Sequence, residues 1–238
     1  MNIKLVSFDV WSTLVRANKV YKRNRARLLA QAIKATPDPA SEELVDGVLA
    51  TMKRADDILD GLTIETGRQY GFNDRVRETC SLMGTMLPDP ERLYRDMSQA
   101  FLSDLPTLTE GRLPEMFTRL KAMGLSVAVN SNTGFVTADL MRSMLNSVGV
   151  YKHLDFALFS DEIGAAKPSP RVFAYLQEIS GLRAEEILHV GDNADTDYKG
   201  ALASGLSALL YDPKEKVSPA PHVLRQLAAL PSHPILAA

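Results

Sequence analysis

From Glu110 onward, short apolar runs alternate with helical patterns, and that alternation narrows the possible folds more than any other feature of the chain. Strand-like runs at residues 125–129, 156–159, 187–190 and 206–210 are separated by helical patterns at 114–123, 138–148, 170–179 and 196–203. Parallel strands need crossover connections, so repeated strand–helix units predict an α/β architecture with a parallel sheet. One more apolar run, beginning at Leu5, opens the chain and leads into Asp9. Four runs end in polar residues: Asp9, Ser131-Asn132, Ser160-Asp161 and Gly191-Asp192. Parallel strands bring such ends to one edge, where open α/β sheets bind ligands.

Between Val15 and Leu105 the strand signal nearly vanishes. Residues 16–35 are basic and helical in pattern, and Thr36-Pro37-Asp38-Pro39 breaks them. Ser41 caps a second helix, with Glu42 and Glu43 in its first turn; Asp60-Gly61 is expected to end it. Residues 67–72 read as a loop, 73–83 as a helix, and Pro88-Asp89-Pro90-Glu91 as the start of another helix. A helix-only block inside an α/β chain predicts an inserted lid over residues 16–105, with 1–15 and 106–238 forming the core. The tail, 222–230, reads as a short amphipathic helix.

Charge and cysteine usage exclude several functions. A formal net charge of -2 gives no global attraction to nucleic acid or to an acidic membrane. No apolar run is long enough for a membrane span. The one cysteine, Cys80, excludes an internal disulfide framework and fits a reducing cytosol, so a cytoplasmic location is expected. Its surroundings hold no activating base, so Cys80 reads as a small buried hydrophobe.

The strand ends carry the chemistry. Asp9 can attack an electrophile and form a covalent intermediate. Ser12 and Thr13 favour a turn beside it and offer donors. Ser131 and Asn132 can donate to an anionic oxygen. Lys167, in Gly164-Ala165-Ala166-Lys167-Pro168, can neutralise substrate and nucleophile together. Asp192, Asp195 and Asp197 form a carboxylate cluster suited to a hard cation such as Mg²⁺.

These residues resemble the four motifs of the haloacid dehalogenase superfamily, most of whose members are phosphatases. Asp9 with Thr13-Leu14 matches the first motif, Ser131 the second, Lys167 the third, and Gly191-Asp192 followed by Asp197 the fourth. The resemblance implies a Rossmann-like three-layer parallel sheet with a helical cap of the C1 type inserted after the first motif. It implies Asp9 as nucleophile, Ser131 and Asn132 as phosphoryl-group holders and Lys167 as the bridging cation. Mg²⁺ would then be bound by Asp9, the Trp11 carbonyl and Asp192, with Asp197 as a nearby ligand or supporting partner. The implied substrate is a small phosphorylated metabolite, handled by a monomer or homodimer.

One position departs from the pattern. Family phosphatases usually carry a second Asp two residues after the nucleophile, as general acid and base. Here that residue is Trp11, whose indole shuttles no proton at neutral pH. Family dehalogenases place a tyrosine there, since a halide leaves without a proton, but they resemble Ser-Ser-Asn where this chain has Gly191-Asp192. A slow or selective phosphatase is the leading expectation. A 2-haloacid dehalogenase and a catalytically weak ligand-binding protein are the alternatives. Trp11 is expected to wall the pocket. Of the basic residues Arg16, Lys19, Lys22, Arg23, Arg25 and Arg27, most read as a solvated face, and Arg16 is expected to meet the substrate. His189 reads as a packed core histidine, and Asp161 and Glu162 as possible supports for Lys167 or the metal.

Overall fold

The structure, a computed structural model, describes residues 2–34 and 38–237. Strand β1 (Leu5–Phe8) leads to a two-residue strand, β2 (Val15–Arg16). Helices α1 (Lys19–Lys34), α2 (Glu42–Thr66), α3 (Phe72–Met83) and α4 (Pro90–Ser103) follow, and β3 (Thr107–Leu108) then pairs antiparallel with β2. The rest alternates: α5 (Leu113–Ala122), β4 (Ser126–Ser131), α6 (Ala138–Ser147), β5 (Phe156–Phe159), α7 (Ser160–Ile163), α8 (Pro170–Ser180), β6 (Ile187–Gly191), α9 (Gly200–Ala203), β7 (Ser207–Tyr211) and β8 (Val223–Leu224).

The main sheet has the order β5-β4-β1-β6-β7-β8, and every pairing is parallel. Successive residues of a strand face opposite sides, which gives the three layers directly. Val6, Phe8, Val127, Val129, Leu188 and Val190 join one buried cluster with α5 and α6. Leu5, Ala128, Leu158, Ile187 and Ala208 join a second with α8 and α9. The parallel α/β reading is therefore correct.

Helices α1–α4 build a cluster of their own around Leu29, Val48, Met52, Val76 and Met97. Helix α1 starts later than expected because Val15 and Arg16 are taken by β2. Residues 35–37 of the expected break lie outside the described residues. Ser41 does cap α2, its side chain accepting from the Leu44 N–H. The expected stop at Asp60-Gly61 is wrong. Gly61 is exposed within α2, which continues until Gly67 takes a left-handed conformation at φ 69° and closes the helix. A single exposed glycine costs a helix only about 1 kcal/mol, and α2 runs on past it to bury Thr63 and reach the Gly67 cap.

The tail is a second correction. Residues 222–230 form β8 and then a 3₁₀ helix, Leu227–Ser232. Leu224, Leu227 and Leu230 are buried at three-residue spacing, which suits a 3.0-residue turn. The Glu110 carboxylate accepts from the Leu227 and Ala228 N–H groups at 2.7 and 3.0 Å and caps that turn. No helix among the described residues is long and apolar enough to cross a membrane.

Phe101 links the two parts: it lies on α4 but packs in the sheet-side cluster, edge-on to Trp11 and Tyr21 at 6.5 and 5.1 Å. Phe101→Ala is expected to destabilise the protein by about 3–5 kcal/mol in chemical denaturation. A loss below about 1 kcal/mol would show that this ring does not join the two parts.

Candidate active site

The strand register sets the site. Phe8 pairs with Val129 on one side and Val190 on the other, so β1, β4 and β6 end together. Asp9 is fixed one residue beyond, its N–H donating to the Val190 carbonyl at 2.9 Å. Lys167 comes from the loop before α8. Its Nζ lies 2.9 Å from Asp9 Oδ1 and 2.7 Å from Asp197 Oδ1, with all three side chains almost wholly buried. Asn132 holds that loop through both ends of its amide: Nδ2 donates to the Lys167 carbonyl at 2.8 Å, and Oδ1 accepts from the Lys167 N–H at 2.7 Å.

Asp197 is placed by a π-helical turn, Ala194–Lys199, after β6. Asn193 caps the turn, accepting from the Asp195 and Thr196 N–H groups, and its own N–H donates to Asp197 Oδ2 at 3.0 Å. Gly191 makes room: a Cβ there would lie 2.3 Å from Asp197 Cγ. His189 lies behind, with Nδ1 3.1 Å from Ser7 Oγ and its ring edge-on to Phe173. Burial and the nearby Lys167 charge lower its pKa, so it stays neutral.

The electrostatics follow from one cation among three acids. Burial would lower the Lys167 pKa, but Asp197 and Asp9 outweigh it and raise it. Burial would raise Asp197, but Lys167 outweighs it and holds the carboxyl well below the usual range. Burial raises Asp9 to about 6 despite Lys167. Burial, Asp9 and Asp197 push Asp192 to about 7. Carboxylate oxygens of Asp9, Asp192 and Asp197 lie within 4.8 Å of one another. Such hard oxygen donors, with negative charge in excess of the one lysine, fit a divalent cation. Since Asp197 has its oxygens on Lys167 and the Asn193 N–H, Asp9 and Asp192 are the freer donors.

A family model described as haloacid dehalogenase-like hydrolase matches residues 3–205. This chain belongs to the haloacid dehalogenase-like hydrolases. A human haloacid dehalogenase-like hydrolase domain-containing protein 3 is 29% identical, covering 97% of this chain and 93% of the relative. A Methanopyrus kandleri glyceraldehyde 3-phosphate phosphatase is 27% identical, covering 86% of this chain and 82% of the relative. The fold matches a magnesium-bound HAD-hydrolase from Bacillus subtilis with a TM-score of 0.72, 18% identity and full coverage of both chains. It matches L-2-haloacid dehalogenase from Xanthobacter autotrophicus with a TM-score of 0.66, 19% identity and 97% coverage of each.

In this hydrolase Asp9, Trp11, Ser12, Asn132, Lys167, Asp192 and Asp197 line one cavity of about 830 Å³. Ser12 takes a left-handed backbone, φ 62°, at the cavity wall. Other predicted residues lie elsewhere. Thr13 is fully buried, its hydroxyl without a partner among the described residues, and does not line the cavity. Ser131 is buried, with Oγ 3.3 Å from the Asn132 carbonyl; Asn132, Thr133 and Gly134 form the wall there. The Asn132 side chain is committed to the Lys167 backbone, so it is a positioning group rather than a free donor. Arg16 is exposed on β2 and does not line the cavity, contrary to expectation. Asp161 caps α6 by accepting from the Ala138 N–H, and Glu162 pairs with Arg142, so neither supports Lys167.

Sequence reasoning missed Lys22 and Arg25, which line the cavity from α1, and Asn193 and Thr196 beside Asp192. The basic run on α1 was the available signal, but it does not reveal which members turn inward. Gly191→Ala is expected to cost about 1–3 kcal/mol in thermal or urea unfolding, since Asp197 must shift from Lys167. An unchanged unfolding midpoint would contradict the close fit of Gly191 against Asp197.

Proposed function

We propose that the chain hydrolyses a small phosphorylated metabolite through an aspartyl-phosphate on Asp9, with Mg²⁺ required. The observation carrying this reading is the buried Asp9–Lys167–Asp197 arrangement beside Asp192. The phosphatase-named relatives support it. Asp9, Asp192 and the Trp11 carbonyl would hold Mg²⁺, which when bound offsets repulsion between the carboxylates and the phosphate.

Lys167 holds Asp9 through Oδ1, leaving Oδ2 to attack phosphorus. The Asp9 oxygen–phosphorus bond forms as the bond to the leaving oxygen breaks, and the leaving group takes the electron pair. Trp11 has no proton to give, so the leaving group departs as an anion. Water then attacks phosphorus, the bond to Asp9 breaks, and phosphate leaves; the water proton passes to phosphate or bulk solvent. The helices α1–α4 act as a cap that shapes the cavity around the leaving group. This selects esters of acidic alcohols, enols or acids over simple alkyl phosphates.

Trp11 also favours a second reading, the metal-independent 2-haloacid dehalogenase. Phosphate release from p-nitrophenyl phosphate that stops with EDTA and in Asp9→Asn is the expected result. Metal-independent halide release from 2-haloacids with no phosphate release would overturn the first reading for the second. Trp11→Asp is expected to raise kcat on alkyl phosphates by roughly 10²-fold or more, as general acid catalysis is restored; no gain in a folded variant would contradict the leaving-group argument.

The raised pKa values of Asp192 and Asp9 set the sign of a pH effect. Below about 7 Asp192 takes up a proton in the metal-free protein, and below about 6 Asp9 does as well. A cation must displace those protons. Mg²⁺ affinity, measured calorimetrically, is therefore expected to be level above about pH 7.5 and to weaken progressively below about 7. Affinity independent of pH over that range would contradict the carboxylate assignment.

A further inference from the structure

We infer that Arg25 forms a second anion subsite in the cavity, so that the substrate carries a carboxylate or second phosphate on the portion that leaves. The inference rests on the phosphoryl-transfer reading and narrows its substrate class. The cavity has two walls of different origin. Asp9, Lys167 and Asp192 come from the sheet edge; the far wall comes from α1, with Lys22 and Arg25, and from α2, with Asp56 and Asp60, whose carboxylates are paired to Arg75. At about 830 Å³ the space is far larger than a phosphoryl group needs, which leaves room for a leaving portion that reaches the α1 wall.

Arg25 is underpartnered for a buried cation. Its side chain is only 12% exposed, and its Nε is buried without a hydrogen-bond partner among the described residues. The carboxylate nearest to it, Asp56, is 3.7 Å away, outside hydrogen-bond reach. Asp56 is shared: its Oδ1 lies 2.6 Å from Arg75 Nη1, its Oδ2 is the oxygen facing Arg25, and Arg75 Nη2 lies 2.7 Å from Asp60 Oδ1. Tyr21, one turn earlier on α1, shares a side-chain hydrogen bond with Arg25. The guanidinium lies 3.9 Å over the Phe135 ring, which fixes its plane. A stacked guanidinium keeps its edge for a planar or tetrahedral oxyanion, which it can grip with two parallel hydrogen bonds. With Asp56 at 3.7 Å and Nε unpartnered among the described residues, Arg25 has donors left that a ligand oxyanion would satisfy.

The other α1 cations differ. Arg23 is held by Glu42 and Asp46, and Arg27 by Glu42, all on exposed surface. Lys22 is exposed at the cavity wall and adds attraction for anions without fixing their orientation.

The test separates binding from turnover by using Asp9→Asn as a full-length, non-reacting host with Mg²⁺ present. Four ligands share one ring: phenyl phosphate, 3-carboxyphenyl phosphate, 4-carboxyphenyl phosphate and 1,4-phenylene bisphosphate. Calorimetry is expected to show at least one doubly anionic ligand binding roughly 10- to 100-fold more tightly than phenyl phosphate, as suits a charged hydrogen-bonded pair. In Asp9→Asn/Arg25→Met that advantage should fall to within about threefold, and in Asp9→Asn/Arg25→Lys it should be partly retained. The carboxylated and bisphosphate arms report which anion is preferred. Equal binding of all four ligands, or an advantage unchanged by Arg25→Met in a protein with a native unfolding midpoint, would overturn the subsite. Failure of the wild-type protein to release phosphate would instead count against the phosphatase reading and leave these binding ratios valid.

Discussion

The structure depends on one ammonium group shared by two buried carboxylates. Lys167 meets Asp9 and Asp197 at 2.9 and 2.7 Å, and none of the three has appreciable contact with solvent. Each member would be expensive to bury alone, and removing one partner from such a group typically costs about 3–5 kcal/mol. Three parts of the chain must therefore arrive together: the end of β1, the loop before α8, and the turn after β6. Nearby features serve that meeting. The Asn132 amide fixes the Lys167 backbone, Gly191 gives Asp197 room, and Asn193 caps the turn that carries it.

The same arrangement separates chemistry from selectivity. Acids and lysine come from the sheet edge, whose geometry is set by strand register. The opposite wall comes from α1, α2 and the segment around Phe135, joined to the sheet through the β2–β3 ribbon and the Phe101 contacts. A change on α1 can therefore alter what fits without disturbing the charged trio. Trp11 sits where the two meet: it lines the cavity beside Asp9 and packs against Phe101 from α4. Its indole gives an apolar surface at the position where family phosphatases carry an acid, which is why the proposed reaction calls for a leaving group that departs without a donated proton.

Much of this was legible in the sequence, for identifiable reasons. Strand–helix alternation gives a parallel sheet, and polar residues at strand ends gather at one edge whatever the loop details. Asp9 and Asp192 follow from that rule, and Lys167 from the Ala-Lys-Pro segment that resembles the family's third motif. Ser131 and Thr13 were placed at the site by position, but which way a hydroxyl points depends on tertiary packing, and both are buried away from the cavity wall. Arg16 was favoured for being near Asp9 in the chain, yet β2 carries it outward, while Arg25, nine residues later, is brought in over Phe135. That pairing spans residues 25 and 135, and helical periodicity holds no trace of it. The β2–β3 ribbon has two residues per strand, too few for any alternation to register. Gly61 does not end α2 because one glycine inside a helix costs only about 1 kcal/mol, and the helix runs on to its cap at Gly67.

The phosphoryl acceptor can be identified directly. Brief mixing with p-nitrophenyl phosphate and Mg²⁺, acid quenching and peptide mass spectrometry should find one phosphoryl group on Asp9, absent when Mg²⁺ is withheld. Phosphate release with that peptide unmodified throughout the time course, or with the label on another residue, would contradict Asp9 as the nucleophile.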